Sequence, residues 1–449
     1  MALKALDLTL SGPPAWAPAS AGQGRRRRSW YRGITVSGLL KLSLVVILSG
    51  QLGRVPLIMA GAKEAPFLLN DLVLLIALVG GFHLILQRRR FLLDWTSTLA
   101  LSFAAVGGIS AFLAVPRFGL SGFQLAFSLA YLARWSAYFG LYLLVLNFVE
   151  RKDVEGLWRV LEGTVLAFAV FGILQSLFLP GFAQMVYPEA ELYTQWDPQG
   201  RRLVSTFLDP NLAGALLVMV LAVQGGRLAF GVPVALWKPL LLFGALGLTL
   251  SRSSLLALVA GAGVILLVRG LSRRVLKVTG VLSLLILPLV PVLVSLALTY
   301  NKFNLADPSL LARFVSWERA LIVFLDHPIL GVGFNTYGFV QLKYGFDELL
   351  MATFGLDGGV IFIAVMTGGL GLAIYLAMVG RVVLESSRVW KNRALPSADR
   401  GLALGVVAAT AALLVHSLFL NSILYPFLMH VLWVIWGMVA VTYRACASR

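Results

Sequence analysis

The chain has 449 residues, 59% of them hydrophobic and only 13% charged, with a mean hydropathy of +0.87. A soluble domain is nearer half apolar and a quarter charged, so the composition excludes a soluble enzyme and makes domain counting by length meaningless. The net charge of +17 sits in short segments between apolar runs, a membrane-orientation pattern that argues against nucleic acid, and the one cysteine, Cys446, excludes a disulfide framework and argues against a cysteine-based metal site.

Residues 1–32 read as a flexible cytoplasmic tail, with no apolar signal core and no small-residue cleavage site. The arginine run at 25–28 sets the start of the first span on the inside and is suited to anionic lipid. Apolar runs long enough to cross a bilayer core, which takes about 20 helical residues, centre near residues 42, 76, 103, 133, 168, 216, 241, 260, 288, 367, 410 and 433. The connections 86–90, 150–159, 224–238, 269–277 and 380–400 are basic and alternate regularly, so they share the side of the N-terminal arginines, as does the final "TYRACASR". The prediction is an all-α polytopic protein with about twelve transmembrane helices and both termini cytoplasmic. The tail is followed by spans one to nine (33–299), a large outer loop (300–356), and the last three spans with a short tail (357–449).

Two connections on the outer side are long, 180–206 and 300–356, and structureless loops of that length are uncommon unless functional. Within the second, "SLLARFVSWERALIVFL" (309–325) spaces its apolar residues as an amphipathic surface helix does. No P-loop, GxGxxG, HExxH or GxSxG occurs, no inverted repeat stands out, and "GVGFNTYG" follows no strand.

Arginines on the outer side oppose the orientation rule and need a reason. Arg201 and Arg202 precede "LVSTFLDPNLAG"; Arg252 stands at a helix start among Ser251, Ser253 and Ser254; Arg313 and Arg319 lie on the amphipathic helix. A guanidinium beside free helical N–H groups and hydroxyls suits phosphate. Arg202 and Arg252 are read that way, Arg201 more weakly, and Arg319 as snorkelling to lipid. Arg117 reads as an interfacial anchor. The four scattered histidines, His83, His327, His416 and His430, have no carboxylates at metal spacing, so no metal is expected. Asp209 before Pro210 reads as a helix cap and first-turn pair. Glu189, Glu191 and Asp197 lie in the first long loop, Asp347 and Glu348 just before the tenth span, and Asp357 at its start. A carboxylate near an apolar surface has a raised pKa and suits a base, and spacing does not choose between Asp347 and Glu348. Guanidiniums, few carboxylates and an outward polar surface suggest a lipid-linked phosphate or pyrophosphate.

Several segments resemble the O-antigen ligase and Wzy-type polymerase superfamily of bacterial polysaccharide enzymes. They are "RLVSTFLDPNLAG", "LTLSRSSLLALVAG", "RFVSWERALIVFLDHPILGVGFNTY", "FGLDGGVIF" and "HSLFLNSILYPFLMHVLW", in the family's order over residues 200–440. The resemblance implies a membrane glycosyltransferase on the outer face of the inner membrane. It would move a glycan from undecaprenyl pyrophosphate to an acceptor hydroxyl, with no nucleotide sugar, metal or other cofactor. It implies that Arg202 and Arg252, with Arg313, hold the pyrophosphate. Membrane lipids, a flippase and a chain-length regulator are the implied partners. One departure bears on the reaction: lipid A–core ligases carry a histidine where this chain has Tyr344, ahead of the motif glycine Gly355. Asp347 and Glu348 lie close by instead, which favours a polymerase over a ligase, with His327 and His416 as alternative catalytic groups. A transporter is the alternative from another class.

Overall fold

The computed structural model describes residues 36–60, 63–88, 91–186, 200–270, 295, 308–346 and 356–447. The tail 1–32, the span near residue 288, Glu189, Glu191, Asp197, Asp347, Glu348 and Gly355 lie outside the described residues. The fold is an all-α polytopic bundle. Among the described residues, ten helices are long and apolar enough to cross a membrane, and they fall where ten of the twelve spans are expected.

In chain order these helices are α1 (Val36–Val46, continuing as a 3₁₀ turn Ile47–Gly53), α2 (Leu69–Arg88), α3 (Trp95–Phe118), α4 (Gly122–Phe148) and α5 (Arg151–Phe178). A short α6 (Phe182–Val186) precedes α7 (Pro210–Ala229), α8 (Trp237–Thr249) and α9 (Arg252–Arg269). Then come α10 (Pro308–Asp326), the single turn α11 (Tyr337–Val340), α12 (Gly359–Lys391), α13 (Ser397–His416) and α14 (Pro426–Ala447). An antiparallel hairpin, β1 (Val55–Ala60) and β2 (Lys63–Phe67), links α1 to α2. Helix α10 covers the predicted amphipathic segment.

Helix α8 differs from expectation. It has 13 residues, about 20 Å at 1.5 Å per residue, short of the roughly 30 Å hydrocarbon core. The chain reverses at Leu250, which adopts a left-handed φ of 49°, and Ser251 then caps the next helix. This left-handed residue, followed at once by a cap, ends α8 early.

Helices α7 and α14 are buried along most of their length, whereas α2 and α9 are buried along less than a third. The exposed faces of these outer helices carry Ile76, Val79 and Phe82 on α2 and Leu255, Val259 and Leu267 on α9, as lipid-facing helices do. In a bilayer, helices associate through close packing at small residues. Here Gly401 and Gly405, four residues apart on α13, lie against Arg227 and Val223 of α7: a Cβ on Gly405 would come within 2.6 Å of the Val223 Cα. Gly405→Ala is therefore expected to lower the melting temperature in detergent by several degrees, the effect of about 1–3 kcal/mol of overpacking. An unchanged melting temperature would show that the two backbones do not meet there.

The glycines of "HPILGVGFNTYG" have a structural use. Helix α12 breaks at Gly368 (φ 67°), about 14 Å into its length at 1.5 Å per residue. The loop after α10 enters that break as a backbone ribbon. Val332 N–H donates to Val365 O (2.9 Å), Gly333 N–H to Met366 O (3.1 Å) and Gly369 N–H to Pro328 O (2.7 Å). Ser110 of α3 donates to Leu330 O (2.5 Å) and Met366 O (2.9 Å). Irregular backbone at membrane depth is tolerated only where protein satisfies its polar groups, and these bonds do so. Contact at Gly331 and Gly368 is so close that a Cβ would lie 2.3 Å from Val365 O and 2.1 Å from Ile329 O respectively.

The basic connections meet at one end of the bundle. There Glu155 takes two 2.9 Å hydrogen bonds from Arg227, Glu162 takes one from Lys238 (2.5 Å), and Arg151 pairs with Asp399 (2.7 Å). These pairs line a cavity of about 970 Å³. The opposite end, where α4, α7, α9, α12 and α14 begin, carries the candidate site.

Candidate functional site

The stretch from Arg201 to Asp209 has almost no regular structure, yet it is ordered by one buried side chain of α5. Gln175 Oε1 accepts the N–H groups of Val204 (3.0 Å) and Ser205 (3.1 Å), and its Nε2 donates to Arg202 O (3.4 Å). Ser176 Oγ donates to Arg201 O (2.7 Å) and Ser205 Oγ to Phe168 O (2.9 Å). The left-handed non-glycine residues among those described are Ser205, Leu208, Leu250 and Asn335, and the first three lie within this stretch or at the α8–α9 turn beside it. Left-handed backbone costs a leucine about 1–2 kcal/mol. Strain of this kind collects where function requires a fixed geometry.

Asp209 caps α7 as expected, accepting from Asn211 N–H (2.7 Å) and Leu212 N–H (3.0 Å), with Pro210 in the first turn. Burial pushes its carboxyl above the usual range, while the two amides and the charges of Arg202 and Arg313 pull the other way. Arg202 is 3% exposed and donates through Nε to Thr249 O (2.9 Å) and through an Nη to Leu250 O (3.4 Å). It thereby satisfies the open carbonyl end of α8, where a cation is favoured. Arg201 is exposed.

At the start of α9, Ser251 Oγ accepts from Ser254 N–H (3.3 Å) and Arg252 occupies the first helical position, half-buried. Ser253 and Ser254 hydroxyls lie 3.1 and 3.2 Å from His416 Nε2 at the end of α13. The other ring nitrogen of His416 faces Ser422 Oγ at 2.5 Å. The histidine thus ties α9, α13 and the turn before α14 together, and Ser254 also donates to Asn211 O (3.2 Å) at the start of α7.

Helix α10 lies over this assembly. Trp317 Nε1 donates to Asp357 O (2.9 Å) and Ser316 Oγ accepts from Asp357 N–H (3.4 Å), which fixes the helix against the entrance to α12. Arg313 Nε is 3.8 Å from Asp357 Oδ2, its side chain 16% exposed. That distance allows charge attraction without a direct hydrogen bond, and Arg313 Nε is buried without a hydrogen-bond partner among the described residues. Asp209 and His416 are also within electrostatic reach of Arg313. Burial pushes the Asp357 carboxyl up to about 6; Arg313 draws it down and Asp209 pushes it further up.

Two groups at this site escaped the sequence reading. Arg54, just past the first span, acts electrostatically on Tyr425, as does Asp209; Gln51 donates to the Tyr425 hydroxyl (3.0 Å). Arg54 lies at the same end of the bundle as Arg202 and Arg252, away from the basic connections, so the orientation argument that selected them applies to it equally. Asp357 was placed at the tenth span without a role, and its pairing with Arg313 arises only in the tertiary structure. Other predicted residues stand elsewhere. His327 packs edge-on against Phe118 (5.1 Å), and burial and Arg117 hold its imidazole below the usual range against Asp326. Arg319 stacks over Phe346 (5.1 Å). Arg117 donates to Gly331 O (3.4 Å), which makes it a support of the inserted loop.

Fold and site define a polytopic helical membrane protein with a half-buried charged centre at one end of its bundle. Residues 240–376 match the family model described as O-antigen ligase. Over this segment the chain is similar to the O-antigen ligase family, which supports an O-antigen ligase/polymerase-type membrane enzyme. The matched segment carries Arg252, Arg313 and Asp357. No curated protein matches the chain.

Proposed function

We propose that the protein polymerises oligosaccharide repeat units carried on undecaprenyl pyrophosphate, at the outer face of the inner membrane. The end of the bundle with the basic connections would then face the cytoplasm. The observation that carries the reading is Arg313: a buried guanidinium N–H without an acceptor among the described residues, 3.8 Å from Asp357 and within electrostatic reach of Asp209. A pyrophosphate oxygen supplies the missing acceptor. Among the described residues of the centre, Arg54, Arg202, Arg252 and Arg313 outnumber Asp209 and Asp357, a balance that suits an anion. In the proposed step the acceptor hydroxyl oxygen attacks the anomeric carbon of the donor sugar. The bond from that carbon to the pyrophosphate oxygen breaks, its electron pair leaves on the pyrophosphate, and the hydroxyl proton passes to Asp357. Guanidiniums stabilise the charge that grows on the leaving group.

Tyr344 at the position of the ligases' histidine, with a carboxylate as the base instead, favours polymerisation; transfer to lipid A core is the second reading, favoured by the matched family's description. Purified full-length protein given only a lipid-linked repeat unit is expected to yield a ladder of products on a gel. A single transfer to added lipid A core, without a ladder, would establish ligation instead. No transfer to either acceptor would remove both.

A further inference from the structure

A second cavity, about 380 Å³, lies at the same end of the bundle as the charged centre. One wall is a stripe on α4, Phe127, Tyr131 and Trp135, spaced one turn apart; Phe362 of α12 and Phe334 of the inserted loop face it. The polar lining is of another kind. Gln51 and Asn421 each keep a buried amide oxygen with no hydrogen-bond partner among the described residues. Asn335 holds a left-handed backbone (φ 55°) at the loop tip. The single cation among the described lining residues, Arg134, is neutralised by Asp71 at 2.9 Å.

We propose that this cavity holds a pyranose ring of the glycan. The choice of a sugar rests on the glycosyl-transfer reading above, but the chemistry of the walls narrows it independently. Aromatic faces accept the C–H face of a ring, and amides spaced around the edge accept its hydroxyls. An isoprenoid chain would leave those amide oxygens unsatisfied, which is unfavourable for buried acceptors. A phosphate would find no unpaired cation among the described lining residues. The volume lies at the small end of ligand pockets, about 300–1,000 Å³. The cavity also connects to the charged centre: Gln51 and Tyr425 line it, Gln51 donates to the Tyr425 hydroxyl (3.0 Å), and Tyr425 feels both Asp209 and Arg54. A ring bound here lies one side chain, Tyr425, from two charges of the centre, Asp209 and Arg54.

The chain has one cysteine, Cys446, so Cys446→Ser gives a background in which Asn421→Cys supplies a single thiol in the cavity wall. Asn421 has an ordinary backbone (φ −79°), and Gln51→Cys serves as a second position should the first variant fail to fold. The full-length variants in detergent are labelled with N-ethylmaleimide, alone and with methyl glycosides of glucose, galactose, mannose, rhamnose or N-acetylglucosamine, or with farnesyl phosphate. At least one glycoside is expected to slow labelling about five-fold, the protection given by ligand at about four times its Kd, with farnesyl phosphate leaving the rate unchanged. Protection by farnesyl phosphate alone, protection by nothing, or thiols that never react at either position would overturn the proposal. Labelling needs no turnover. An inactive enzyme with sugar-protected thiols would remove the transferase reading and leave the sugar cavity standing.

Discussion

Arg313→Lys is expected to cut the initial rate of glycan transfer by about 10²–10³, the usual loss when one donor to a developing oxyanion is removed, while yield and melting temperature in detergent stay at wild-type values. The size of the effect follows from the state of Arg313 without ligand. Its Nε is buried and has no acceptor among the described residues, and Asp357 Oδ2, at 3.8 Å, is too far for a hydrogen bond. An unsatisfied buried donor costs about 1–3 kcal/mol, and a bound phosphate oxygen recovers that loss. Lysine keeps the charge and loses the planar fork that grips phosphate at two points. Arg202 is a less decisive test, because its bonds to Thr249 O and Leu250 O hold the end of α8, so its replacement mixes stability with chemistry. A wild-type rate in Arg313→Lys would place the pyrophosphate away from α10.

Most of the bundle was legible because membrane helices announce themselves by length and apolarity, and because basic connections sort by side. The span expected near residue 241 shows the limit. Its hydropathy is as high as that of the others, but the turn at Leu250 is set by tertiary contacts, Arg202 on the α8 carbonyls and the serine cluster on His416, that no local pattern contains. The inserted loop was illegible for a related reason. Glycines at 331, 333 and 368 are ordinary in a membrane sequence, and their purpose exists only once the ribbon 328–333 and the break in α12 are paired.

The site divides in the same way. The arginines at the end of the bundle away from the basic connections were readable because they depart from the expected sorting of charge. Asp209 was readable because capping is local, and the structure adds that this cap also bears on Asp357 and Arg313. The proposed base was not readable. Of the acidic residues at 347, 348 and 357, Asp357 is the one described, and the packing of Trp317 and Ser316 on its backbone brings it beside Arg313. His327, chosen for its motif, supports the inserted loop's entry beside Phe118 and Arg117.

The second large effect concerns the proposed base. Burial raises the Asp357 carboxyl to about 6, so the carboxylate form, the one able to accept a proton, predominates at neutral pH by about ten to one. The rate is therefore expected to rise with pH through about 6 and level off above it, falling about ten-fold per unit on the acid side. Asp357→Asn should lose about 10²–10⁴ in rate and the acid limb with it, because nothing at that position then titrates. A purely structural role for Asp357 predicts a lower rate with the limb intact. Asp209→Asn separates the two further. Asparagine caps a helix as well as aspartate, so the start of α7 survives, but the negative charge that pushes Asp357 up is gone. The acid limb should then move to lower pH at an almost unchanged plateau rate. A limb that stays near 6 in Asp209→Asn would mean that some other group is being titrated.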